Sequence, residues 1–128
     1  MKKEQKLYTP FELFGVEVDK GWWPLVEPVY NRIQELNQQG AGIEITQIKE
    51  KWGQLCIYVS GAPDEIRKMI EEAEKKSVHV CEHCGEPAER VWSTTGWIYT
   101  LCPDCLKKRK IKVRRTVAED QENVKLQP

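Results

Sequence analysis

The sequence predicts an α+β fold, in which a small antiparallel sheet is packed by two helices and is followed by a metal-binding module with four cysteines. Three patterns carry this prediction. Two segments repeat apolar residues at helical spacing, two shorter segments alternate apolar and polar residues as strands do, and two Cys-x-x-Cys pairs follow. We divide the 128-residue chain into an α+β body over 1–77, a zinc-binding module over 78–110 and a polar C-terminal tail over 111–128.

Two amphipathic helices are predicted in the body. The first begins after Gly21-Trp22-Trp23, where Pro24 suits a first helical turn, and it ends before Gly40. Its apolar face consists of Leu25, Val26, Val29, Tyr30, Ile33 and Leu36. The second helix is predicted over 63–76, with acidic residues in its first turn and lysines in its last, as the helix dipole favours.

Residues 43–48 and 54–59 are predicted to form an antiparallel hairpin between the helices. Gly53, in the connecting turn, tolerates the positive φ angle that such a turn needs. Because two strands alone are marginally stable, we expect a third strand, either from residues 7–18 or from the metal module. The N-terminal segment would contribute the apolar side chains of Phe11, Leu13, Val16 and Val18.

Two cysteine pairs predict a metal site. In each pair two residues separate the cysteines, and the spacing between the pairs lets four thiolates converge on one tetrahedral ion, usually Zn²⁺. A closed site of this kind has no open coordination position, so we expect one structural ion. A thioredoxin-like redox pair would follow a strand in a βαβ pattern, which the sequence lacks. The predicted ligands are Cys81, Cys84, Cys102 and Cys105.

The residues around these pairs indicate the type of module. Gly85 follows the first pair, as is usual in a zinc knuckle whose backbone N–H groups point at sulfur. A hairpin is predicted over 89–92 and 97–101, and Pro103 suits a helix start within the second pair. The order knuckle, hairpin, helix resembles the treble-clef finger. A zinc ribbon, with its second pair on another knuckle, is the alternative.

Three other residues could carry chemistry, but ordinary roles account for them. His83 lies inside the first pair, where four thiolates already complete the ligand set, so we interpret it as a surface residue. His79 is too close to Cys81 to reach the same ion. Cys56 has no neighbouring His or acid in the sequence to activate it, and we interpret it as a small, partly buried hydrophobe.

Seven basic residues occur within the nine positions after Leu106. Such a run can contact phosphates, but it is also typical of a solvated helix end whose cations complement a thiolate–metal centre. The formal net charge of the chain is zero, so composition adds no argument for nucleic acid. The candidate nucleic-acid contacts are Lys107, Lys108, Arg109, Lys110, Lys112, Arg114 and Arg115.

The chain has five tryptophans, which is many for a core of this size. Some should pack the module against the body. Any that stay exposed would mark a binding surface, because aromatic residues are enriched at protein interfaces. Trp22, Trp52 and Trp97 are the candidates for such a partner surface.

Five sequence blocks occur in a distinctive order. They are Gly21-Trp22 with the helix that follows, Gln47 to Leu55, Ala73 to Ser77, Cys81 to Gly85, and Gly96 to Cys102. This order resembles a family of small uncharacterised proteins found in bacteria and in their phages and prophages, over about residues 21–105. The family usually has a second glycine and an arginine where this chain has Gln54 and Cys56. The resemblance implies a bacterial or phage setting and no mechanism.

These patterns leave three classes of function. The first is a non-enzymatic accessory protein that binds a macromolecular partner, with a protein as the expected partner. The second is a nucleic-acid-binding zinc finger that uses the basic run. The third is a nuclease-like enzyme, which is disfavoured because the sequence has no HExxH motif, nucleophile elbow or phosphate-binding glycine loop. We therefore assign no catalytic residue.

The sequence shows no evident signal peptide and no stretch that approaches a membrane span. Thiols in a chain without an export signal are kept reduced, which favours metal binding over disulfides. We therefore expect a cytoplasmic protein that makes no membrane contact.

Overall fold

The computed structural model describes residues 18–118, which form an α+β structure with two small antiparallel sheets and three α-helices. This confirms the predicted α+β class. A 3₁₀ turn at Lys20–Trp22 precedes the first helix. The elements that follow are α1 (Trp23–Gln38), β1 (Glu44–Lys51), β2 (Gln54–Ser60), α2 (Asp64–Ser77), β3 (Glu89–Ser93), β4 (Ile98–Leu101), α3 (Pro103–Lys108) and β5 (Val113–Thr116). No helix within these residues is long and apolar enough to cross a membrane.

Helix α1 buries one apolar face, as its sequence period predicts. Val26, Val29 and Ile33 are buried, and Pro24 lies in the first turn, where its missing N–H group removes no helical hydrogen bond. The Asn37 side chain near the helix end binds both backbone groups of Ile43: Oδ1 accepts from the N–H at 2.7 Å and Nδ2 donates to the carbonyl at 2.9 Å. These bonds fix the chain reversal between α1 and β1.

Strands β1 and β2 form the predicted hairpin, but its strands are longer than predicted. The antiparallel register runs from Glu44 opposite Ser60 to Lys51 opposite Gln54. Residues 50 and 51, which are predicted to lie in the turn, therefore complete β1, and the turn consists of Trp52 and Gly53 alone.

The body core lies between the two long helices and the β1–β2 hairpin. Helix α2 is also hydrogen-bonded to β2: the Ser77 hydroxyl accepts from the Leu55 N–H at 2.9 Å, and the Glu74 carboxylate accepts from the Ile57 N–H at 2.9 Å. Burying each large aliphatic side chain contributes about 1.5–3 kcal/mol. The largest buried side chains of this core are Trp22, Ile33, Ile48, Leu55 and Ile66.

The second sheet has the strand order β4-β3-β5. The β3–β4 hairpin follows the prediction. Strand β5 does not: the prediction of a polar tail over 111–128 is wrong for residues 113–116, which pair with β3 through Trp92 opposite Arg115. Strand pairing uses backbone N–H and C=O groups, so a segment without apolar alternation can still pair with the free edge of β3.

Within residues 18–118, no third strand pairs with β1 or β2. The expectation that the metal module supplies one is wrong for these residues, because the hairpin tip meets the face of the second sheet and not its edge. A Cβ added at Gly53 would lie 3.0 Å from Ile98 Cγ2 and 3.1 Å from Thr100 Oγ1. The other expected source, residues 7–18, lies outside the described residues except for Val18.

Candidate metal centre and adjoining surface

The four predicted ligands converge on one point. Their Sγ atoms all lie within 4.8 Å of one another, and 3.6 Å separates the Sγ atoms of Cys84 and Cys102. Four sulfurs at the usual Zn–S distance would lie about 3.8 Å apart in a tetrahedron. None of the four is in a disulfide. Cys81, Cys84, Cys102 and Cys105 therefore form a cluster that could hold a metal ion.

Two kinds of local structure present the sulfurs. In the knuckle over 81–85, the Gly85 N–H donates to the Cys81 carbonyl at 2.9 Å, with φ of +85° at Gly85. The Cys84 N–H points at the Cys81 Sγ from 3.5 Å. Cys102 is the N-cap of α3 and Cys105 lies buried in its first turn. The sequence predicts both arrangements.

The backbone around the cluster favours a thiolate at Cys81. Burial alone would raise the pKa of this thiol, but the N–H groups of Cys102, Cys84 and His83 lower the pKa to about 6. Burial and the neighbouring thiols raise the pKa of Cys105 to about 12. The backbone N–H groups thus favour a thiolate at Cys81, and a bound cation would displace the protons that the other thiols hold.

The knuckle and the residue before it are hydrogen-bonded to the 3₁₀ turn that precedes α1. The Gly21 N–H donates to the Glu82 carbonyl at 2.9 Å, and Trp22 Nε1 donates to the Val80 carbonyl at 2.8 Å. Trp22 is 0 % exposed. Its assignment to a partner surface is therefore wrong: its indole ring belongs to the core and its polar edge joins body to module.

Asp19 makes a second link between the 3₁₀ turn and the module. Its Oδ2 atom lies 2.7 Å from His83 Nδ1 and 3.3 Å from Arg109 Nη2. Partial burial opposes ionisation, but the hydrogen bonds of His83 and the Lys20 N–H leave the pKa of Asp19 below its usual value. His83 thus binds a carboxylate beside the metal cluster, and Arg109, one of the predicted nucleic-acid contacts, pairs with Asp19.

Glu82 starts a hydrogen-bonded chain that no sequence pattern predicts. Its Oε2 accepts from the Thr100 N–H at 3.0 Å, and the Thr100 hydroxyl donates to the Gly53 carbonyl. The Gly53 N–H donates in turn to Glu50 Oε2 at 2.8 Å. Burial, opposed by the Thr100 N–H, raises the pKa of Glu82 to about 7. The β1–β2 turn is therefore held on the metal module by polar contacts as well as by packing.

Trp52 and Trp97 border a cleft of about 220 Å³ where the hairpin turn meets the second sheet. Their side chains are 60 % and 68 % exposed. The residues that line this tryptophan cleft are Glu50, Lys51, Trp52, Trp97 and Ile98.

The backbone at Trp52 is strained. Its φ angle is +57° and that of Gly53 is +73°, so both turn residues are left-handed, as in a type I′ turn. The sequence pattern predicts this conformation for Gly53 only. For a bulky residue such as Trp52 it costs energy, and the Arg90 guanidinium, 3.4 Å from the Trp52 carbonyl, helps to hold it.

Most of the predicted basic contacts lie on the surface. Arg109 is exposed but pairs with Asp19. The other exposed residues of this set are Lys107, Lys108, Lys110, Lys112 and Arg114. Arg115 is partly buried on β5. The Thr94 N–H donates to the Lys112 carbonyl at 2.9 Å, so the start of β5 lies beside the turn that leads into Trp97.

Cys56 lies partly buried on β2. Burial, followed by the nearby carboxylate of Glu74, raises the pKa of its thiol. A raised pKa disfavours the thiolate that a nucleophile or a metal ligand would need. The structure therefore agrees with the interpretation of Cys56 as a packing residue.

No protein-family model, curated protein or solved structure matches this chain. The resemblance to small bacterial and phage proteins therefore stays a prediction. The fold and the site define an α+β protein with a cluster of four cysteines that could hold a metal ion.

Proposed function

We propose that this chain is a non-enzymatic binding protein in which one structural Zn²⁺ holds the module together and a separate surface engages a macromolecular partner. Zinc is favoured because four thiolates in a tetrahedral arrangement are a usual structural zinc site. All four positions would be taken by protein, so the ion would have no place for a substrate. Its contribution would be folding energy.

The order of elements around the cluster supports a treble-clef module. A knuckle carries the first cysteine pair, the β3–β4 hairpin follows, and the second pair lies at the start of helix α3. A zinc ribbon would instead carry its second pair on another hairpin turn. We further propose a cytoplasmic setting, in a bacterium or a phage-infected cell, where the four thiols would stay reduced.

The tryptophan cleft is the observation that carries the binding proposal. Two large indoles are more than half exposed around one cleft, although burying an aromatic ring is strongly favourable. Trp52 is also held in a left-handed conformation that costs about 1–3 kcal/mol. An exposed, strained tryptophan contributes little to the stability of the body core, so we infer that its role is contact with a partner.

The partner belongs to one of two classes. Exposed aromatic residues favour a protein, since tryptophan is enriched at the energetic centres of protein interfaces. The second candidate is a nucleic acid. It is favoured by the hydrogen bond between Thr94 and Lys112, because the basic residues of β5 then begin beside the hairpin that carries Trp97.

Affinity capture tests the proposal. Full-length, metal-loaded protein would be incubated with a bacterial lysate, with and without nuclease, and retained proteins and nucleic acids would both be quantified. We expect a partner that the wild type retains and the Trp52→Ala/Trp97→Ala variant loses. Tyr58→Ala, which removes another exposed aromatic residue away from the cleft, is the matched control. Equal retention by wild type and double variant would refute the proposal.

A further inference from the structure

We infer that the occupant of the tryptophan cleft is a single-stranded nucleic acid, whose bases stack on Trp52 and Trp97 while its phosphates contact the basic segment over 107–115. This inference rests on the proposed function, because it names the partner of the same surface. It is carried by the charge of that segment, by the position of its C-terminal end near the cleft and by the exposure of the two indoles.

The basic segment is complementary to a polyanion. Seven of its nine residues are Lys or Arg, and no acidic residue occurs between Asp104 and Glu119. Arg109 is engaged by Asp19, and five of the other cations are exposed. A protein partner would have to present a matching dense acidic segment, whereas every nucleic acid presents regularly spaced phosphates.

Strand pairing brings the C-terminal end of this segment, from Lys112 onward, near the cleft. The Ser93 N–H donates to the Trp97 carbonyl at 2.8 Å, and on its other side Ser93 pairs with Val113. Neighbouring strands lie 4.7–4.9 Å apart, so the backbones of Trp97 and Val113 are separated by about 10 Å. Lys112 and Arg114 flank Val113. Their side chains can therefore reach the phosphates of a nucleic-acid strand whose base stacks on Trp97.

The exposed indoles favour unpaired bases over a duplex. Stacking requires the face of a base, and in a duplex these faces are covered by neighbouring base pairs. Proteins that bind single strands combine a basic track with aromatic platforms, and the stacking is tolerant of sequence. Trp52 and Trp97 supply two platforms from different parts of the chain, held in place because the β1–β2 turn is bonded to Thr100 of the module.

Fluorescence anisotropy with labelled oligonucleotides tests this inference. The probes are 15-nucleotide oligo(dT) and oligo(U) and a 15-base-pair duplex, titrated with full-length, metal-loaded protein at a series of salt concentrations. We expect both single strands to bind more tightly than the duplex. Trp52→Ala and Trp97→Ala should each weaken binding about 5- to 150-fold, as loss of one base–aromatic stack does, and Trp→Phe should restore most of it.

Charge variants separate phosphate contact from stacking. Lys112→Gln/Arg114→Gln should lower the steepness of the salt dependence by about 1.4, since each phosphate contact contributes about 0.7 for single strands. The tryptophan variants should leave that steepness unchanged. Trp52→Asn provides a second cleft variant that suits the left-handed turn, so loss of binding in it could not be attributed to misfolding.

Two results would overturn the inference. One is no binding of either single strand at 50 mM salt; the other is binding that is equal in wild type and in all tryptophan variants. If the lysate experiment still yields a nuclease-resistant protein partner that depends on Trp52 and Trp97, the nucleic-acid inference fails and the proposed function stands. If no partner of either class depends on these residues, both fail.

Discussion

Gly21 lies directly against Cys81, the first of the four clustered cysteines. A Cβ added at Gly21 would lie 2.1 Å from the Cys81 carbonyl oxygen and within 2.6 Å of the Glu82 carbonyl group. The neighbouring atoms are all backbone atoms of the knuckle, so they cannot rotate away as a flexible side chain could. The 3₁₀ turn that precedes α1 and the metal cluster therefore form one packed unit.

Gly21→Ala should therefore destabilise the protein and weaken metal binding. The added methyl group must displace the knuckle backbone, and overpacking of this kind costs about 1–3 kcal/mol. Urea denaturation and competition with a zinc chelator measure the two effects. Gly40→Ala is the control, because a Cβ there meets nothing within 4 Å. It should lower stability only through the strain of its positive φ angle and should leave metal affinity unchanged. Metal affinity unchanged by Gly21→Ala would contradict the predicted coupling.

Removal of the metal should unfold more than the module. Metal analysis of reduced protein should find about one Zn²⁺ per chain, because four thiolates serve a single ion. Chelation, or Cys81→Ser/Cys84→Ser, should increase hydrogen exchange in β3, β4, β5 and α3, since metal-binding energy here is folding energy. Hydrogen exchange should also increase in α1, because Trp22, just before this helix, donates to the Val80 carbonyl beside the cluster.

Cys56→Ser is the control for these cysteine variants, since Cys56 lies outside the cluster. It should retain the metal and the exchange pattern of the wild type. Reduced protein that contains no metal, or melting that is unaffected by chelation, would refute the four-thiolate site. Exchange that increases in the module alone would refute only the coupling to α1.

The features that could be predicted from sequence are those encoded by local spacing. Helical periods located α1 and α2, and the two Cys-x-x-Cys pairs predicted that four sulfurs converge, as they do. The features that were missed depend on distant partners. Trp22 is buried because its indole meets the carbonyl of Val80, and residues 113–116 form a strand because β3 offers an open edge.

The conformation of Trp52 could not be predicted for the same reason. Its neighbour Gly53 is the residue that a turn signal identifies, whereas the tip is fixed by Thr100 and Arg90 of the module. Local preference alone would place Asn at this position of a type I′ turn. The departure from local preference coincides with the cleft that we propose as the binding surface.

Trp52→Asn should stabilise the protein. Asn tolerates the left-handed region, so the substitution should relieve about 1 kcal/mol of backbone strain. The midpoint of urea denaturation measures the change. Trp97→Asn is the matched control, since Trp97 is similarly exposed but does not have a positive φ angle, and it should show no gain. A Trp52→Asn variant less stable than wild type would show that the indole makes a net stabilising contact.

Glu74 should make the free energy of unfolding decrease as pH rises through the range in which its carboxyl group ionises. Burial, only partly offset by the hydrogen bond from the Ile57 N–H, raises the pKa of Glu74 above its usual value. The folded state therefore holds this proton more tightly than the unfolded state does. The resulting stabilisation is complete below the unfolded pKa and is lost as pH rises through the folded pKa.

Glu74→Gln isolates this effect, because its amide oxygen can still accept from the Ile57 N–H while the charge is removed. The stability of the variant relative to wild type should increase between pH 4 and pH 7, as measured by urea denaturation at several pH values. Glu72→Gln, at an exposed position of the same helix, should show no such trend. A relative stability that is constant with pH would mean that burial of the Glu74 carboxylate does not penalise its charged form.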